Sequence, residues 1–358
     1  MRFLVFIKLM FGAKGTIGLD IGSSYLKAVQ LKETRSGYEL ELFDMLPISP
    51  ELIVEGSIID AIRLTESLRE LMHRSKAKAK DAVISISGHS SVIIKRISLP
   101  EMSEEELSES IKFEAEQYVP FDIEDVNLDF QILGPKEEPG QMDVILVAVK
   151  KDVINDYVSV VKEAGLTTVI VDVDAFALEN MYGINYEIEA GRNVALVNIG
   201  ASTMNMNILR GGVSLFTRDS SMGSNIHSDA LQKEFNITYE EAERLKRGEP
   251  VEKVKPEDAA ALISSASNEV FSEVSRSLDY FRSSTVHAEV QELVLSGGCA
   301  LIKDFPRSLS EKIGIQVSVA EPFKNILIPK KFEASFIEDM APIAAVAVGL
   351  AIRRPGDR

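Results

Sequence analysis

Cysteine, tryptophan and histidine are almost absent from this sequence. Cys299 is the one cysteine among 358 residues, so no disulfide can form within the chain, which fits a reducing cytoplasm. There is no tryptophan, and the four histidines are scattered without the spacing of a zinc site. The Gly-x-Ser-x-Gly motif of α/β-hydrolases is also missing. These absences argue against a disulfide-stabilised secreted protein, a zinc enzyme and a serine hydrolase of that class.

Basic residues are outnumbered by acidic ones. The chain has 39 Lys and Arg against 55 Asp and Glu, a net charge of −16, and no stripe of basic residues. Nucleic-acid binding is therefore not expected. The hydrophobic fraction of 45% is typical of a soluble globular protein, and the length is sufficient for two domains with large cores.

The start of the chain is apolar but too short to span a membrane. The apolar start, residues 1–11, is interrupted by Lys8 and is far shorter than the roughly 20 residues of a transmembrane helix. The first predicted strand follows almost at once, which leaves little room for a signal-peptide cleavage region. We expect residues 1–15 to be a small N-terminal segment, either exposed or a short helix, that adheres to a membrane or a partner; alternatively, the chain starts near Met10.

The rest of the chain is organised around the stretch 16–31. Apolar residues alternate with small or polar ones at 17–21 and again at 26–31, which predicts two strands joined by a tight Gly-Ser-Ser turn. Gly22 allows the backbone to approach a ligand, and successive N–H groups in such a turn can form a nest for phosphate. An ordinary glycine turn is the alternative interpretation.

Polar side chains around this turn are suited to a phosphate and a metal ion. Ser23 and Ser24 add hydroxyl donors, and Lys27 can send its ammonium group toward the same anion. Asp20 ends the first strand and is placed to hold Mg²⁺ through water, since Mg²⁺ prefers a carboxylate plus retained waters. The alternative is a surface aspartate and lysine.

A second copy of this plan occurs at 193–209, again as strand, small polar turn and strand. Its Asn198, Gly200 and Ser202 take the positions of the aspartate, the glycine and the second serine of the first copy. Two such hairpins in two halves of one chain predict a duplicated domain that clamps phosphates between the copies.

A third element is the strand 293–296, which runs into Gly297 and Gly298, a pair suited to close contact with a nucleoside. In this order the three elements resemble the phosphate-1, phosphate-2 and adenosine motifs of the actin, Hsp70 and sugar-kinase superfamily. The resemblance implies an α/β protein with a two-domain actin-like (ribonuclease H-like) ATPase fold. It further implies that ATP or ADP, with Mg²⁺, is held between the two halves.

The resemblance implies a role for each site residue. The phosphates and the Mg²⁺ would be held by Asp20, Gly22, Ser23, Ser24 and Lys27 on one side and by Asn198, Gly200, Ala201, Ser202 and Thr203 on the other. Gly297 and Gly298 would lie against the adenosine and the α-phosphate. Glu243 and Lys246, spaced i, i+3 on a predicted helix, match the purine- and ribose-contacting helix; a surface salt bridge is the alternative.

Asn198 departs from the superfamily pattern, in which many ATPases have an aspartate here. An amide cannot accept a proton or neutralise a metal as a carboxylate does, and phosphoryl transfer depends on positioned charge and an oriented water. We therefore expect ATP binding with at most weak ATPase activity, and no catalytic residue is identified. In this interpretation ATP mainly holds the two domains in one relative orientation.

Residues 89–170 interrupt the first domain. Their predicted order of strand, helix, strand, strand, helix and strand is that of a small inserted α+β module, whose first helix begins at a capping box, Ser103 to Glu106. An insert at this place resembles the 1C subdomain of the division protein FtsA and of the PilM family of type IV pilus proteins. The stretch Phe-Glu-Ala-Glu-Gln-Tyr-Val-Pro-Phe at 113–121 is the strongest similarity to the PilM family.

The resemblance divides the chain into four subdomains after the N-terminal segment. They are 1A (16–88, 171–192 and 336–354), 1C (89–170), 2A (193–220 and 288–335) and 2B (221–287).

Similarity to the PilM family also implies a partner and a location. The partner would be the N-terminal cytoplasmic peptide of the membrane protein PilN, lying in a groove between 1A and 1C. Candidate groove elements are the strand 92–99 and the helix 105–118; alternatively, their apolar positions form the insert's own core. The protein would be cytoplasmic, peripheral to the inner membrane through PilN, and would couple the inner-membrane complex to the motor. The motor ATPase, the platform protein and a second copy of the chain are further expected partners.

Two other functions remain open. One is a polymerising, membrane-tethered division or cytoskeletal ATPase similar to FtsA. The other is a small-molecule kinase of the same superfamily, for which the sequence offers no clear catalytic carboxylate or substrate pocket.

Overall fold

The computed structural model describes residues 15–136, 138–285 and 289–357, so residues 1–14 of the predicted N-terminal segment lie outside the described residues. Two mixed β-sheets form the two halves of the molecule. The first sheet has the strand order β10-β6-β1-β2-β3-β16. Its strands are β1 (Ile17–Ile21), β2 (Tyr25–Thr34), β3 (Gly37–Pro47), β6 (Asp81–Ile86), β10 (Thr167–Val173) and β16 (Ile326–Leu327).

The second sheet repeats the central part of the first. Its order is β13-β12-β11-β14-β15. Its strands are β11 (Asn193–Ile199), β12 (Met204–Arg210), β13 (Val213–Ser220), β14 (Glu292–Ser296) and β15 (Gln316–Val319). In each sheet the first strand of the hairpin pairs antiparallel with the next strand and parallel with a later one, β6 or β14. The predicted duplication is therefore present in the topology.

Helices α4 (Asp174–Asn185) and α10 (Ala345–Ala351) pack between the two sheets, in a core that contains residues of both halves. Their close approach requires glycine, because a Cβ at Gly349 would lie 1.7 Å from the carbonyl oxygen of Ala177. Helix α10 also lies against β1, where a Cβ at Gly18 would lie 2.3 Å from the carbonyl oxygen of Ala347. The last helix is therefore packed tightly against both α4 and β1.

The stretch Ala334–Ala351 is long and apolar enough to cross a membrane by length and composition, but 61% of it is buried inside the protein. It consists of α9 (Ala334–Met340), a 3₁₀ turn (Ala341–Ala344) and α10. The apolar character of this stretch is accounted for by its place in the core between the two sheets.

Further helices cover the outer sides of the sheets. On the first half, α1 (Ala61–Ser75) and α3 (Lys151–Glu163) share one core with β1 and β6, and a two-residue pair, β4 (Ile53–Val54) with β5 (Ser57–Ile58), precedes them. The helices of the second half are α5 (Asn225–Phe235), α6 (Tyr239–Lys246), α7 (Pro256–Ser284) and α8 (Phe305–Ile313).

The inserted module is smaller than the sequence predicted. It consists of β7 (Val92–Pro100), α2 (Glu104–Ala115), a 3₁₀ turn, β8 (Val126–Pro135) and β9 (Gln141–Lys150), with the sheet order β7-β9-β8. The capping box is present, since Glu106 N donates to Ser103 Oγ and Ser103 N donates to Glu106 Oε2. The expectation that a last helix and strand close the module is wrong: β10 pairs parallel with β6, and α3 packs into the core of the first half.

Candidate functional site

One cavity lies between the two halves, and all fourteen residues predicted for the site line it. They are Asp20, Gly22, Ser23, Ser24, Lys27, Asn198, Gly200, Ala201, Ser202, Thr203, Glu243, Lys246, Gly297 and Gly298. The three glycine motifs therefore face one another, as the sequence predicted. The role of each residue toward a nucleotide stays a prediction.

The two hairpin turns have the same geometry. Gly22 N donates to the carbonyl oxygen of Tyr25 at 3.2 Å, and Gly200 N donates to that of Thr203 at 2.8 Å. The strands below the turns pair in equivalent registers, which begin one residue before each glycine. A single geometry therefore presents two small polar turns to the same space.

The tips of the two turns touch across the cavity. The Oγ atoms of Ser23 and Ser202 lie 2.9 Å apart, within hydrogen-bonding distance. A second hydrogen bond between the halves joins Ser24 Oγ to the hydroxyl of Tyr239 on α6, also at 2.9 Å. Two hydroxyl contacts thus connect the halves, and an anion that took up these hydroxyl groups would join the same two halves.

Below the turns, equivalent positions carry different chemistry. In the first hairpin Lys27 Nζ donates to Asp20 Oδ2 at 2.7 Å, and both side chains are largely buried. In the second, the matching pair is Asn198 and Asn205, with Asn198 Nδ2 donating to Asn205 Oδ1 at 3.3 Å. A carboxylate and an ammonium group on one side fit a hydrated divalent cation and a phosphate, while the other side is neutral.

Gly297 brings the third motif against the second hairpin. Its φ of +84° lies in the left-handed region that favours glycine. A Cβ there would lie 2.4 Å from the carbonyl oxygen of Ile199 and 2.8 Å from Asn198 Oδ1. Glycine is therefore required for the strand β14 to end this close to the phosphate-2 turn.

Glu243 and Lys246 form an internal pair in the cavity wall, not a surface salt bridge. Lys246 is 3% exposed, and its Nζ donates to Glu243 Oε1 at 2.7 Å, to Ser228 Oγ at 3.0 Å and to the carbonyl oxygen of Ser224 at 3.2 Å. Ser228 Oγ donates to the same Glu243 oxygen. The three ammonium protons therefore have protein acceptors, so the first role of this pair is to hold α6 against α5.

Asp174 is a cavity residue that the sequence analysis missed. It is the first residue of α4, and its Oδ1 accepts a hydrogen bond of 2.5 Å from Ser85 Oγ. Burial, and next the negative charge of Asp20, raise the pKa of Asp174 to about 7. Polar residues directly after parallel strands were the available signal, because the carboxyl ends of β1, β6 and β10 meet at one edge of the sheet.

A carboxyl group with a pKa near 7 exists in both protonation states at neutral pH, so it can accept a proton from a water molecule in the cavity. The sequence analysis found no catalytic carboxylate, and Asp174 is the candidate that the fold supplies. Among the described residues there is no group of three or more side chains suited to bind a metal ion. A cation at Asp20 would therefore depend on water and on a bound anion, the mode that Mg²⁺ favours.

The two elements predicted for the peptide groove, strand 92–99 and helix 105–118, do not line the open groove between the module and the first half, and the place where the peptide binds stays a prediction. The apolar positions of α2, among them Leu107, Ile111 and Ala115, are buried in the module's own core, as the alternative interpretation held. This groove is lined by β8, β9 and β10 and by Phe176 of α4. Amphipathic periodicity correctly identified a buried face of α2 but could not tell which surface covers it.

Comparison with known proteins identifies the family. A family model described as type IV pilus assembly protein PilM matches residues 18–355. A solved PilM-PilN type IV pilus biogenesis complex is 28% identical, with a TM-score of 0.84, and the match covers 96% of this chain and 99% of that chain.

More distant structures share the fold. Ethanolamine utilization protein EutJ from Carboxydothermus hydrogenoformans is 16% identical, with a TM-score of 0.58 and coverage of 94% of this chain and 89% of that chain. MreB5 of Spiroplasma citri, solved with ADP, is 14% identical, with a TM-score of 0.53 and coverage of 95% and 96%. The fold is thus the actin-like ATPase fold, and the chain belongs to the family of type IV pilus assembly protein PilM.

Proposed function

We propose that this chain is an ATP-binding scaffold of the type IV pilus machinery. The cavity between the halves holds ATP with Mg²⁺, and the protein binds the N-terminal cytoplasmic peptide of PilN, which couples the inner-membrane complex to the motor. The observation that carries the proposal is that the turns at Gly22, Gly200 and Gly297 line one cavity. Membership of the PilM family and the similarity to a PilM-PilN complex support the pilus role and the partner.

The phosphates would lie between the two hairpin turns. Because Gly22 N and Gly200 N close their own turns, the N–H groups that follow, starting at Ser23 and Ala201, are the ones directed to an anion. Lys27 would turn from Asp20 to a phosphate, and Asp20 would then hold Mg²⁺ through water. When bound, the metal supplies positive charge to the phosphates.

ATP in this site would act mainly as a clamp. A ligand present at about a hundredfold its Kd stabilises the form that binds it by about 2.7 kcal/mol, which is sufficient to select a closed arrangement of the halves. Asp174 would be the group that accepts a proton from water in slow hydrolysis. Asn198 is an amide where many ATPases of the superfamily have an aspartate, and this favours binding of the nucleotide over its hydrolysis.

Thermal unfolding with and without Mg-ATP tests the nucleotide site. We expect Mg-ATP at millimolar concentration to raise the Tm of the full chain and Mg²⁺ alone to leave it unchanged. An unchanged Tm with Mg-ATP, together with no binding by calorimetry, would contradict the proposal.

The PilN peptide would lie in the groove lined by β8 and β10. Within the described ranges, each of these strands has a neighbouring strand on one side only, so its outer N–H and C=O groups can pair with an extended peptide. Half-buried apolar side chains, Ile154, Val171 and Phe176, lie along the groove and can contact alternate side chains of that peptide.

A pair of matched substitutions distinguishes this groove from helix α2. Phe176→Ala removes an aromatic ring from the groove, whereas Phe113→Ala removes a ring that is 70% exposed on α2. We expect the first to weaken binding of a synthetic PilN peptide about tenfold or more, as truncated interface aromatics do, and the second to leave it unchanged. The reverse result would place the peptide on α2.

In this proposal the protein is cytoplasmic and reaches the inner membrane through PilN. Contacts with the motor ATPase or the platform protein, and self-association, stay predictions. Filaments in the electron microscope would instead support the FtsA-like alternative.

A further inference from the structure

A line of hydrogen bonds leads from the phosphate-2 turn out of the cavity. Ser296 Oγ donates to Asn198 Oδ1 at 3.3 Å, and Asn198 Nδ2 donates to Asn205 Oδ1 at 3.3 Å. Asn205 Nδ2 in turn donates to Asp219 Oδ1 at 2.9 Å on β13. Asn205 is completely buried, so its amide has no water as an alternative partner.

The line crosses to the other half at Gly88. The N–H of this buried glycine donates to Asp219 Oδ2 at 2.9 Å. The carbonyl oxygen of Gly88 accepts from the N–H groups of Val92, the first residue of β7, and of Ser91, which precedes it. Gly88 is therefore the point at which the chain leaves the first half and enters the inserted module.

A second contact supports the same connection. Thr217 Oγ1, also on β13, donates to the carbonyl oxygen of Ile94 on β7 at 3.3 Å. Strand β13 thus contacts both the root of the module and its first strand.

The chemistry of the line fixes its direction. Both oxygens of Asp219 accept a hydrogen bond, one from Asn205 and the other from Gly88, and an amide at this position could accept only one of these bonds. Because Asn205 donates its amide N–H to Asp219, its carbonyl oxygen faces residue 198. Residue 198 must therefore supply a hydrogen-bond donor, as the Asn198 amide does. An aspartate at 198 would have none, so this line gives a reason for the asparagine in place of the superfamily's aspartate.

We propose that Asp219 is a positioning residue that ties the phosphate-2 turn to the root of the inserted module. This inference rests on the proposed nucleotide site. Closure of the cavity around a nucleotide moves the turn at Gly200, and Asn198, Asn205 and Asp219 carry that displacement to Gly88. Nucleotide in the cavity therefore changes the position of β7, and with it the groove between the module and the first half.

Amide hydrogen exchange at residues 86–92 of the full chain, with and without Mg²⁺ and a non-hydrolysable ATP analogue, tests this. We expect the analogue to slow exchange of the Gly88 amide about fivefold or more in the wild-type chain, within the usual range of coupling between sites. In Asp219→Asn at saturating analogue, this slowing should disappear although the nucleotide is bound. Asp279→Asn, which neutralises an exposed surface carboxylate paired with Arg282, is the matched control and should behave as wild type.

The outcomes separate this inference from the proposed function. The proposed connection is overturned if the wild-type chain binds the analogue without any change in Gly88 amide exchange, or if Asp219→Asn retains the full change. Either result leaves the proposed nucleotide site unaffected. A wild-type chain that does not bind the analogue overturns both. If Asp219→Asn fails to fold, the same experiment is done with Asn198→Asp at saturating analogue. We expect the slowing of Gly88 amide exchange to disappear in this variant as well, and its retention would overturn the proposed connection.

Discussion

Replacing Asp174 by asparagine should give the protein a stability advantage over the wild-type chain, and this advantage should grow as the pH rises. Burial raises the pKa of this carboxyl group to about 7, whereas in the unfolded chain it titrates near its ordinary value of 3.8. Between these two values the folded state holds a proton that the unfolded state has lost, so the free energy of unfolding falls as the pH rises. Each pH unit in this window changes it by about 1.4 kcal/mol at most.

Between pH 5.5 and pH 7, the free energy of unfolding of the wild-type chain should therefore fall by about 2 kcal/mol more than that of Asp174→Asn. Asparagine has nearly the shape of aspartate and can still accept the hydrogen bond from Ser85, so the local structure of the site should be the same in both chains. The assay is urea unfolding of both full chains, without nucleotide, from pH 5 to pH 8. We expect the stability advantage of Asp174→Asn to grow up to about pH 7 and then to level off. An advantage that is constant over this range would refute the reasoning.

Three further substitutions, two of them with a matched control substitution, have defined outcomes. Lys27→Met removes the cation below the phosphate-1 turn and should raise the Kd for Mg-ATP about tenfold or more, since hydrogen bonds to charged groups contribute about 1.5–3 kcal/mol; unchanged affinity by calorimetry would contradict its role. Gly297→Ala places a side chain at a left-handed backbone position and against Ile199, so the free energy of unfolding in urea should fall by at least about 1–2 kcal/mol. Gly298→Ala is the control and should be tolerated, because the nearest atom to its Cβ would be 3.5 Å away. Gly349→Ala should lower the free energy of unfolding by about 1–3 kcal/mol through overpacking against α4. Gly183→Ala, at a helical position with no neighbour within 4 Å, is the control and should raise it by about 0.5–1 kcal/mol. Equal effects of the two substitutions in thermal unfolding would argue against the close helix packing.

The parts of the site that are local in sequence could be predicted from the sequence. Each hairpin is set by alternation of apolar residues and a glycine turn, and both are found where the pattern predicts them. That the hairpins and Gly297 face one cavity was not derivable from periodicity and came from the resemblance to a superfamily. The structure places them there.

Other features depend on contacts between residues far apart in the chain. The strand-helix-strand order at the end of the insert fits two arrangements equally well: the last strand can belong to a separate module or return to the first sheet. Only the pairing of β10 with β6 decides between them. Asp174 and Tyr239 occur at ordinary helix starts, and their importance arises from the partners that the fold brings to them, Ser85 and Ser24. The same holds for Asp219, whose partners lie on two different halves of the molecule.

A crystal structure of the full chain with Mg²⁺ and a non-hydrolysable ATP analogue tests the central claim most directly. We expect phosphates bound between the turns at Gly22 and Gly200, with the adenosine against Gly297. A nucleotide bound elsewhere, or phosphates that contact only one of the two turns, would contradict it.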